Sequence, residues 1–121
     1  MRLRLFKTRH FADAASEAWL CDSELREAFG QMLKGQAANL GGGGWKKRLN
    51  QNRHRSIVLA KGRHYWLYQL LFAKQDQSNI SQKDLIAFRA MAKAYEALSE
   101  IQVQQLLDLK EFVEIYHDQE V

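Results

Sequence analysis

The chain has 121 residues, one cysteine and a formal net charge of +4, and these values limit what it can be. Its length is typical of a domain that buries its own core, so we expect a single domain over residues 1–121. One cysteine cannot form an internal disulfide, which favours a reducing compartment. No apolar run approaches the roughly 20 residues that cross a bilayer, and no signal peptide is recognisable. We therefore expect a cytoplasmic protein without a membrane segment.

The positive charge is concentrated in the middle of the chain. Residues 28–75 contain nine basic and no acidic side chains, whereas residues 76–121 contain nine acidic and four basic ones. A long acid-free window beside an acidic end predicts one positive face rather than a uniformly basic protein. We interpret this face as a polyanion-binding surface. The alternative is a solvated surface that only prevents aggregation.

The first third of the chain predicts one strand followed by two helices. Residues 1–8 alternate in the manner of a short strand. Residues 10–20 are rich in alanine and aromatics at helical spacing, with Trp19 included in the apolar stripe. A second helix begins at Asp22 or Ser23, either of which can cap it. We expect the two helices to form a hairpin on one face of a sheet.

Glycines divide the central block into strands. Four consecutive glycines at 41–44 precede a short basic strand at 45–49. Gly62 then joins two strand-like runs, at 55–61 and 64–74, and is expected to supply the turn between them.

The run at 64–74 is apolar on both of its alternating faces. Strict alternation places Tyr65, Leu67, Gln69, Leu71 and Ala73 on one face and His64, Trp66, Tyr68, Leu70, Phe72 and Lys74 on the other. A strand that is apolar on both sides is typical of the middle of a covered sheet.

The last third predicts helices. Ser81 with Asp84 three residues later is typical of a helix start, and Ser99 predicts a second start. Residues 112–116 fit either a final strand or a helix end. The whole pattern predicts an α+β fold: a small antiparallel or mixed sheet of about four strands, an amino-terminal helical hairpin and carboxy-terminal helices.

Several kinds of site find little support in the sequence. The glycine run lacks the Gly-Lys-Ser/Thr sequence of a nucleotide-binding loop, although glycine amides can form a phosphate nest, and a plain tight connection explains them equally well. The histidines and Cys21 lack zinc-ligand spacing, so we expect no metal and no cofactor. The acid-free window excludes a catalytic carboxylate pair within it. We interpret Cys21 as structural.

The remaining candidate is a basic and aromatic RNA site. Cleavage by the neighbouring 2′-hydroxyl needs a proton acceptor, charge stabilisation on the phosphorane and a proton donor for the leaving 5′-oxygen. Lysine and arginine supply the charge, and His54, His64 or a lysine of lowered pKa can transfer protons. Base stacking would fall to Trp45, Tyr65, Trp66 or Tyr116, each of which can equally be a core residue.

Three segments resemble the RelE/ParE toxin superfamily: LGGGGWKKRL, RSIVLAKGRHYWLY and FAKQDQSNIS. They are similar to a RelE-like subgroup with an LGGG segment, a basic strand, an arginine-led strand, a KG turn, an aromatic strand and an FAK segment. The resemblance covers most of the chain and is closest over residues 40–81. It implies the toxin of a bacterial type II toxin–antitoxin pair, a metal-independent endoribonuclease that inhibits translation by cleaving mRNA, often on the ribosome. The implied partners are mRNA and a cognate antitoxin, usually a helix-turn-helix protein.

The resemblance and the chemistry together give a set of predicted site residues. The predicted catalytic residues are Arg55, Lys74, Lys47, His54 and His64. The predicted RNA-binding residues are Lys46, Arg48, Arg53, Lys61, Arg63 and Trp45. No residue is predicted to bind a metal.

The chain departs from the subgroup at two places. The segment before Arg55, residues 50–54, is short, and residues 75–77 read Gln-Asp-Gln where the subgroup has Asn-Glu-Arg. Two other functions therefore stay open. Some relatives bind a protein target such as DNA gyrase without cleaving RNA, and the chain could also be a non-catalytic module that binds RNA or its antitoxin.

Overall fold

The computed structural model describes residues 3–61, 65–75 and 81–117. The elements within them are β1 (Arg4–Thr8), α1 (Arg9–Glu17), α2 (Asp22–Leu33), β2 (Ala38–Gly41), β3 (Gly44–Leu49), β4 (His54–Lys61), β5 (Tyr65–Ala73), α3 (Gln82–Glu96), α4 (Glu100–Asp108) and β6 (Phe112–His117). The α+β class is confirmed. None of the helices in these ranges has the length and apolar character needed to span a bilayer.

The described strands form one sheet in the order β2-β3-β4-β5-β1-β6. Every neighbouring pair is antiparallel except β1 and β5, which are parallel. The prediction of about four strands is wrong, because the described residues contain six. The sequence did not indicate β2, since four residues of Ala-Asn-Leu-Gly have weak strand propensity. It left β6 undecided, and pairing with β1 settles that segment as a strand.

Helices cover both faces of this sheet. On one face, α1 and α2 pack on the sheet around Leu5, Val58 and Tyr68. The predicted helical hairpin is not matched exactly, because each of these two helices contacts strands of the sheet rather than the other helix. On the other face, α3 and α4 cover Phe6, Ile57 and Leu67. The strand β5 lies in the interior of the sheet, so its expected central position is confirmed.

The predicted alternation along β5 is wrong beyond its midpoint. Ile57 pairs with Leu70 and the next residue, Val58, pairs with Tyr68, so Gln69 is an extra residue in β5. A bulge of this kind shifts the following side chains to the opposite face. Leu70 and the residues after it therefore change sides relative to strict alternation, and Leu70 packs in the α3 core rather than beside Tyr68.

The glycine run forms the tight hairpin between β2 and β3. Gly41 pairs with Gly44, and the two residues between them have φ values of +62° and +88°. Two positive φ values in a two-residue loop are the type I′ geometry that glycine adopts without strain. A Cβ on Gly43 would lie 3.3 Å from the carbonyl oxygen of Ala60. The interpretation of these glycines as a tight connection is supported by this geometry.

Serine and threonine side chains begin three of the helices. Thr8 Oγ1 accepts a hydrogen bond from the Phe11 amide at 3.0 Å, and Ser81 Oγ accepts one from the Asp84 amide at 3.1 Å. Ser99 forms a reciprocal capping box with Gln102. The starts predicted at Ser81 and Ser99 are therefore confirmed.

The connection between α1 and α2 differs from the prediction. The N-cap of α2 is Cys21, which makes no side-chain capping bond, rather than Asp22 or Ser23. Cys21 is exposed, so its interpretation as a packed structural residue is wrong. Trp19 lies beyond the end of α1 with a φ of +59° and is 91% exposed, while Leu20 takes the buried place. The backbone turns here before the predicted apolar stripe is complete.

Candidate nucleic-acid interface

The hairpin loop between β3 and β4 has an unusual backbone. Asn50, Gln51 and Asn52 have φ values of +53°, +54° and +70°. Left-handed residues other than glycine cost roughly 1–2 kcal/mol each, and asparagine tolerates the conformation best. The Asn50 carboxamide Nδ2 lies 3.1 Å from His54 Nδ1, which ties the start of the loop to the start of β4. This short loop is one of the two places where the chain departs from the subgroup pattern.

Among the described cations of residues 45–74, Arg55 is the most enclosed. It is 5% exposed, and its Nη1 donates to the carbonyl oxygens of Asn52 at 3.1 Å and His54 at 3.2 Å. No carboxylate forms an ion pair with it among the described residues. Its cross-strand neighbours are Arg48 on β3 and Phe72 on β5. Arg55 is therefore a nearly buried positive charge held by neutral oxygens.

Three cations share the α3 face of β3 and β4: Lys46, Arg48 and Arg55, which we name the basic strip. Lys46 pairs with Ile57, whose side chain is in the α3 core, and Arg48 pairs directly with Arg55. Like charges directly opposite each other destabilise a sheet. An anion bound between Arg48 and Arg55 would remove that repulsion, and an arginine fork matches the oxygens of a phosphate.

Lys47 lies on the opposite face from the basic strip. It is 8% exposed, and its carbonyl oxygen accepts a hydrogen bond from Ser56 Oγ at 3.0 Å. Burial lowers the pKa of Lys47 below its ordinary value, and the positive charge of Arg48 lowers it further. Lys47 is one of the residues that line a cleft of about 430 Å³ beside β3, with Gln36, Ala37, Ala38, Lys46 and Arg48. Strand alternation separates Lys47 from the phosphate position at Arg55.

A second group of predicted residues meets where the β3–β4 loop approaches the end of β5. Arg53, His54 and Lys74 line a cleft of about 680 Å³ with Asn52, Ala73 and Gln75, which we name the turn cleft. The Lys74 amide donates to the carbonyl oxygen of Arg53 at 2.9 Å, which fixes the two segments together. The structure thus brings together two predicted catalytic residues and one predicted RNA-binding residue.

Other predicted residues lie elsewhere. Lys61 is six residues from Arg55 along β4, which corresponds to about 20 Å. Trp45 packs against the α1–α2 core with its ring centroid 6.1 Å from that of Trp66. Arg63 and His64 lie outside the described residues, as does the Gly62 turn.

The candidate stacking aromatics mostly have core roles. Trp66 is 7% exposed, Tyr65 meets Phe6 edge to face, and Tyr116 meets Phe29 at a ring separation of 6.1 Å. Their ring faces are largely used for packing.

Sequence reasoning missed two residues that organise the site. Asn50 orients the His54 ring, and the carbonyl oxygen of Asn52 holds the Arg55 guanidinium. The available signal was the sequence Asn-Gln-Asn, since asparagine is enriched at left-handed positions of tight turns. That signal predicts a turn, although it does not reveal which carbonyl meets the arginine.

Comparison with known proteins identifies the family of the chain. No curated protein and no solved structure matches the chain. The sequence model of one family, described as the RelE toxin of the RelE / RelB toxin–antitoxin system, matches residues 3–115. This range covers almost the whole chain and contains the basic strip and both clefts. The chain therefore belongs to the RelE toxin family of toxin–antitoxin systems.

Proposed function

We propose that this toxin inhibits translation in the bacterial cytoplasm as a metal-independent endoribonuclease that cleaves mRNA on the ribosome. The observation that supports the proposal most is Arg55, which is 5% exposed, lies directly opposite Arg48 and has no carboxylate partner among the described residues. A cation in this situation is stabilised by an anionic ligand. In an RNA-cleaving toxin that anion is the phosphodiester that reacts.

The reaction is attack by the 2′-oxygen on the adjacent phosphorus. The bond between that oxygen and phosphorus forms, the bond to the 5′-oxygen breaks, and the products are a 2′,3′-cyclic phosphate and a free 5′-hydroxyl. Arg55 has its Nη1 anchored on backbone oxygens, so its remaining N–H groups are the ones available for a non-bridging phosphate oxygen. Arg48 and Lys46 add positive charge as the phosphorane forms, which is electrostatic stabilisation by preorganised groups.

Two proton transfers remain, and we assign one of them to His54, which lies at the loop end of β4 next to Arg55 in the chain. With Asn50 Nδ2 donating to Nδ1, the His54 ring carries its proton on Nε2 and can donate there. Rotation of the Asn50 carboxamide presents Oδ1 to a protonated Nδ1, which fits the imidazolium form. The Asn50 amide can therefore accompany a change in protonation, as a residue that shuttles a proton requires. Lys74 in the same cleft supplies charge near the leaving oxygen.

The cognate antitoxin is proposed to neutralise this surface. A partner that inhibits the toxin must cover the basic strip or the turn cleft, and acidic or amphipathic segments are complementary to both. By resemblance to the subgroup, we expect the antitoxin to be a helix-turn-helix protein.

Cleavage of a ribosome-bound message in a purified translation system tests the proposal. We expect the wild-type chain to cut the message, and we expect Arg55→Ala to lower the rate by about 10²–10³-fold, the usual cost of removing one transition-state charge group. Arg55→Lys keeps the charge but loses the paired N–H groups of the guanidinium, so its cleavage rate should lie between those of the wild type and Arg55→Ala. Arg9→Ala is the matched control, because Arg9 is exposed and lies 3.8 Å from its own partner Glu111.

The other outcomes separate the alternative functions. Intact messages with altered DNA supercoiling would indicate a toxin that binds a protein target such as DNA gyrase. Intact messages with retained RNA binding would indicate a non-catalytic module. Either result would overturn the nuclease proposal.

A further inference from the structure

Lys47 is a nearly buried amine that the phosphate chemistry described above does not use. It is 8% exposed, and among the residues that the structure describes it is the only buried lysine. Two positions away on the same face of β3, Leu49 belongs to the α1–α2 core and Trp45 packs against that core. The aliphatic stem of Lys47 therefore lies beside apolar groups, as lysine stems commonly do.

The ammonium group at the end of this stem has no partner. Lys47 forms no ion pair and no hydrogen bond through its side chain within the described ranges. In the same ranges, the one side-chain polar atom that is both enclosed and unpartnered is Tyr95 Oη. Because Lys47 Nζ is unpartnered but is not enclosed, it contacts solvent. Lys7 is the opposite case, since its Nζ lies 2.7 Å from Asp22 Oδ1.

Cations flank Lys47 on β3. Lys46 and Arg48 are its neighbours in the chain, and all three residues line the cleft of about 430 Å³ beside β3, which we name the β3 cleft. No carboxylate contributes to the lining among the described residues, because the other lining residues are Gln36, Ala37 and Ala38. A cleft with three cations and no carboxylate attracts small anions.

These surroundings favour the neutral form of the amine. Burial lowers the pKa of Lys47 below its ordinary value, and the positive charge of Arg48 lowers it further. A lysine that is desolvated or that lies next to another cation is an activated nucleophile, because only the neutral amine carries a free lone pair. Lys47 meets both conditions, whereas Lys34 is an exposed lysine without a basic neighbour in the chain.

The β3 cleft and the amine together fit one class of reactant. An acyl phosphate carries a phosphate, which lysine and arginine bind, and a carbonyl carbon, which a neutral amine attacks. From this placement we propose that Lys47 is an acylation site that reacts with acyl phosphates bound in the β3 cleft. The inference goes beyond the proposed function, since nothing in it requires cleavage of RNA.

The reaction is a transfer of the acyl group to nitrogen. The Lys47 Nζ lone pair attacks the carbonyl carbon and forms a carbon–nitrogen bond. The bond between that carbon and the phosphate oxygen breaks, inorganic phosphate leaves with the bonding pair, and the nitrogen releases one proton to solvent. The product is a neutral amide at Nζ, so the modification removes one positive charge from β3.

Site-resolved mass spectrometry measures this reaction. The folded chain is treated with acetyl phosphate near pH 7, and acetylation is followed in chymotryptic peptides. Cleavage after Trp45 and Leu49 releases Lys46 and Lys47 in one peptide, in which fragmentation separates them, while Lys34 lies in another. We expect Lys47 to react at least about threefold faster than Lys34 or Lys46, because each unit by which a pKa falls gives about ten times more neutral amine.

The unfolded chain is the first control. In guanidinium chloride, Lys46 and Arg48 remain next to Lys47 in the sequence, but the burial of its stem is lost. We expect the ratio of the Lys47 and Lys34 rates to fall to about one, because desolvation no longer acts on the amine. A ratio near one in the folded protein, or the same ratio in both states, would overturn the inference.

A second donor and a variant test the part played by the cations. p-Nitrophenyl acetate transfers the same acyl group but is neutral, so its preference for Lys47 should be smaller than that of acetyl phosphate. Arg48→Gln should slow acetylation of Lys47 by acetyl phosphate at least about threefold and leave Lys34 unchanged, because the charge that attracts the donor is gone. Arg9→Gln is the matched control, since Arg9 is exposed and lies 3.8 Å from Glu111.

The outcomes are independent of the nuclease proposal, because no RNA is present. An equal preference with both donors, or an unchanged rate in Arg48→Gln, would overturn the β3 cleft as the site that binds the donor. A preference for Lys47 that depends on folding, on the charge of the donor and on Arg48 would support the inference even if the chain cleaves no message.

Discussion

The molecule has two groups of cations that differ in their partners. In the first group, which we name the paired cations, Arg4 lies 2.6 Å from Glu114, Lys7 lies 2.7 Å from Asp22 and Arg9 lies 3.8 Å from Glu111. The second group, the open cations, consists of Lys46, Arg48, Arg53, Arg55 and Lys74, and none of these forms an ion pair among the described residues. Similar side chains therefore have opposite electrostatic surroundings.

The paired cations hold elements together. Arg4 donates from Nε to Glu114 on β6, and this hydrogen bond raises the pKa of Arg4 above its ordinary value. Its guanidinium also lies 5.0 Å from the ring centroid of Phe6. The open cations form no such connection between elements. The paired cations therefore contribute to the fold, whereas the open cations keep their charge available for a ligand.

The largest expected effect is the loss of cleavage in Arg55→Ala, which we compare with the loss of stability in Arg4→Ala. Arg55→Ala should lower message cleavage by about 10²–10³-fold. Its stability should fall less than that of Arg4→Ala, since relief of the repulsion from Arg48 offsets part of the loss of its two hydrogen bonds to backbone oxygens. Arg4→Ala should cost about 1–3 kcal/mol of stability, the usual value for a lost hydrogen bond to a charged group, and leave cleavage by the folded protein intact. Urea unfolding and cleavage assays on both variants measure these effects. If the two variants lost stability and cleavage rate to the same extent, the distinction between paired and open cations would be contradicted.

The glycine hairpin between β2 and β3 contains no cation, so it serves as a control region for both groups. Gly43 has a φ of +88°, and a Cβ there would crowd the carbonyl oxygen of Ala60. Gly43→Ala should therefore destabilise the protein by about 1 kcal/mol or more, as alanine does at positive φ. RNA affinity at a temperature where the variant is folded should stay the same. A selective loss of affinity would instead indicate a phosphate nest in the glycine run.

Salt dependence should separate the two groups of cations by a moderate amount. Each phosphate contact contributes about one unit to the slope of log affinity against log salt. Lys46→Ala and Arg48→Ala should each reduce the slope by about one unit, whereas Lys7→Ala should leave it unchanged. Fluorescence anisotropy on a single-stranded RNA across a salt series measures the slopes. Equal slopes for all three variants would show that the open cations contact RNA phosphates no more than the paired cations do.

The smallest expected effect concerns Lys47, whose buried side chain faces away from the basic strip. Its pKa in the folded protein is below the ordinary value of 10.5. Between the two pKa values the unfolded chain binds more protons, so this residue makes stability rise as pH rises through that alkaline window. Lys47→Met should therefore be slightly more stable than wild type at pH 7, and the gain should disappear towards pH 10.5.

Cleavage by the same Lys47→Met variant completes that comparison. We expect the rate to fall far less than in Arg55→Ala, because the two side chains lie on opposite faces. Urea midpoints across pH and the cleavage rate are the measurements. A fall in cleavage rate comparable to that of Arg55→Ala would indicate that Lys47 is a catalytic residue.

Much of the fold was predictable because local signals agree with the tertiary structure. Ser81 and Ser99 begin helices as their capping patterns predict. The parallel pairing of β1 with β5 and the extra residue at Gln69 were not predictable, since both depend on partners distant in the sequence. Capping and periodicity are local, whereas register is set by the assembled sheet.

The site was predictable in composition and only partly in arrangement. The acid-free window identified Arg55 and its neighbours, and the structure brings Arg53, His54 and Lys74 together. Strand alternation puts Lys46 and Lys47 on opposite faces, but the sequence could not tell which of them shares a face with Arg55 before the register of β3 with β4 was known. It also gave no sign that Glu24 and Glu27 of α2 line a cleft together with the β3–β4 loop, because these segments meet only after folding.

The central claim is that Arg55 is an open cation, and giving it a carboxylate tests this most directly. Arg48 is exposed and lies directly opposite Arg55, so Arg48→Glu places a carboxylate where it can capture the guanidinium, while Arg48→Gln only removes a charge. We expect Arg48→Gln to slow message cleavage by about tenfold and Arg48→Glu by at least about 100-fold, with unchanged folding. Equal cleavage rates for the two variants would contradict the account.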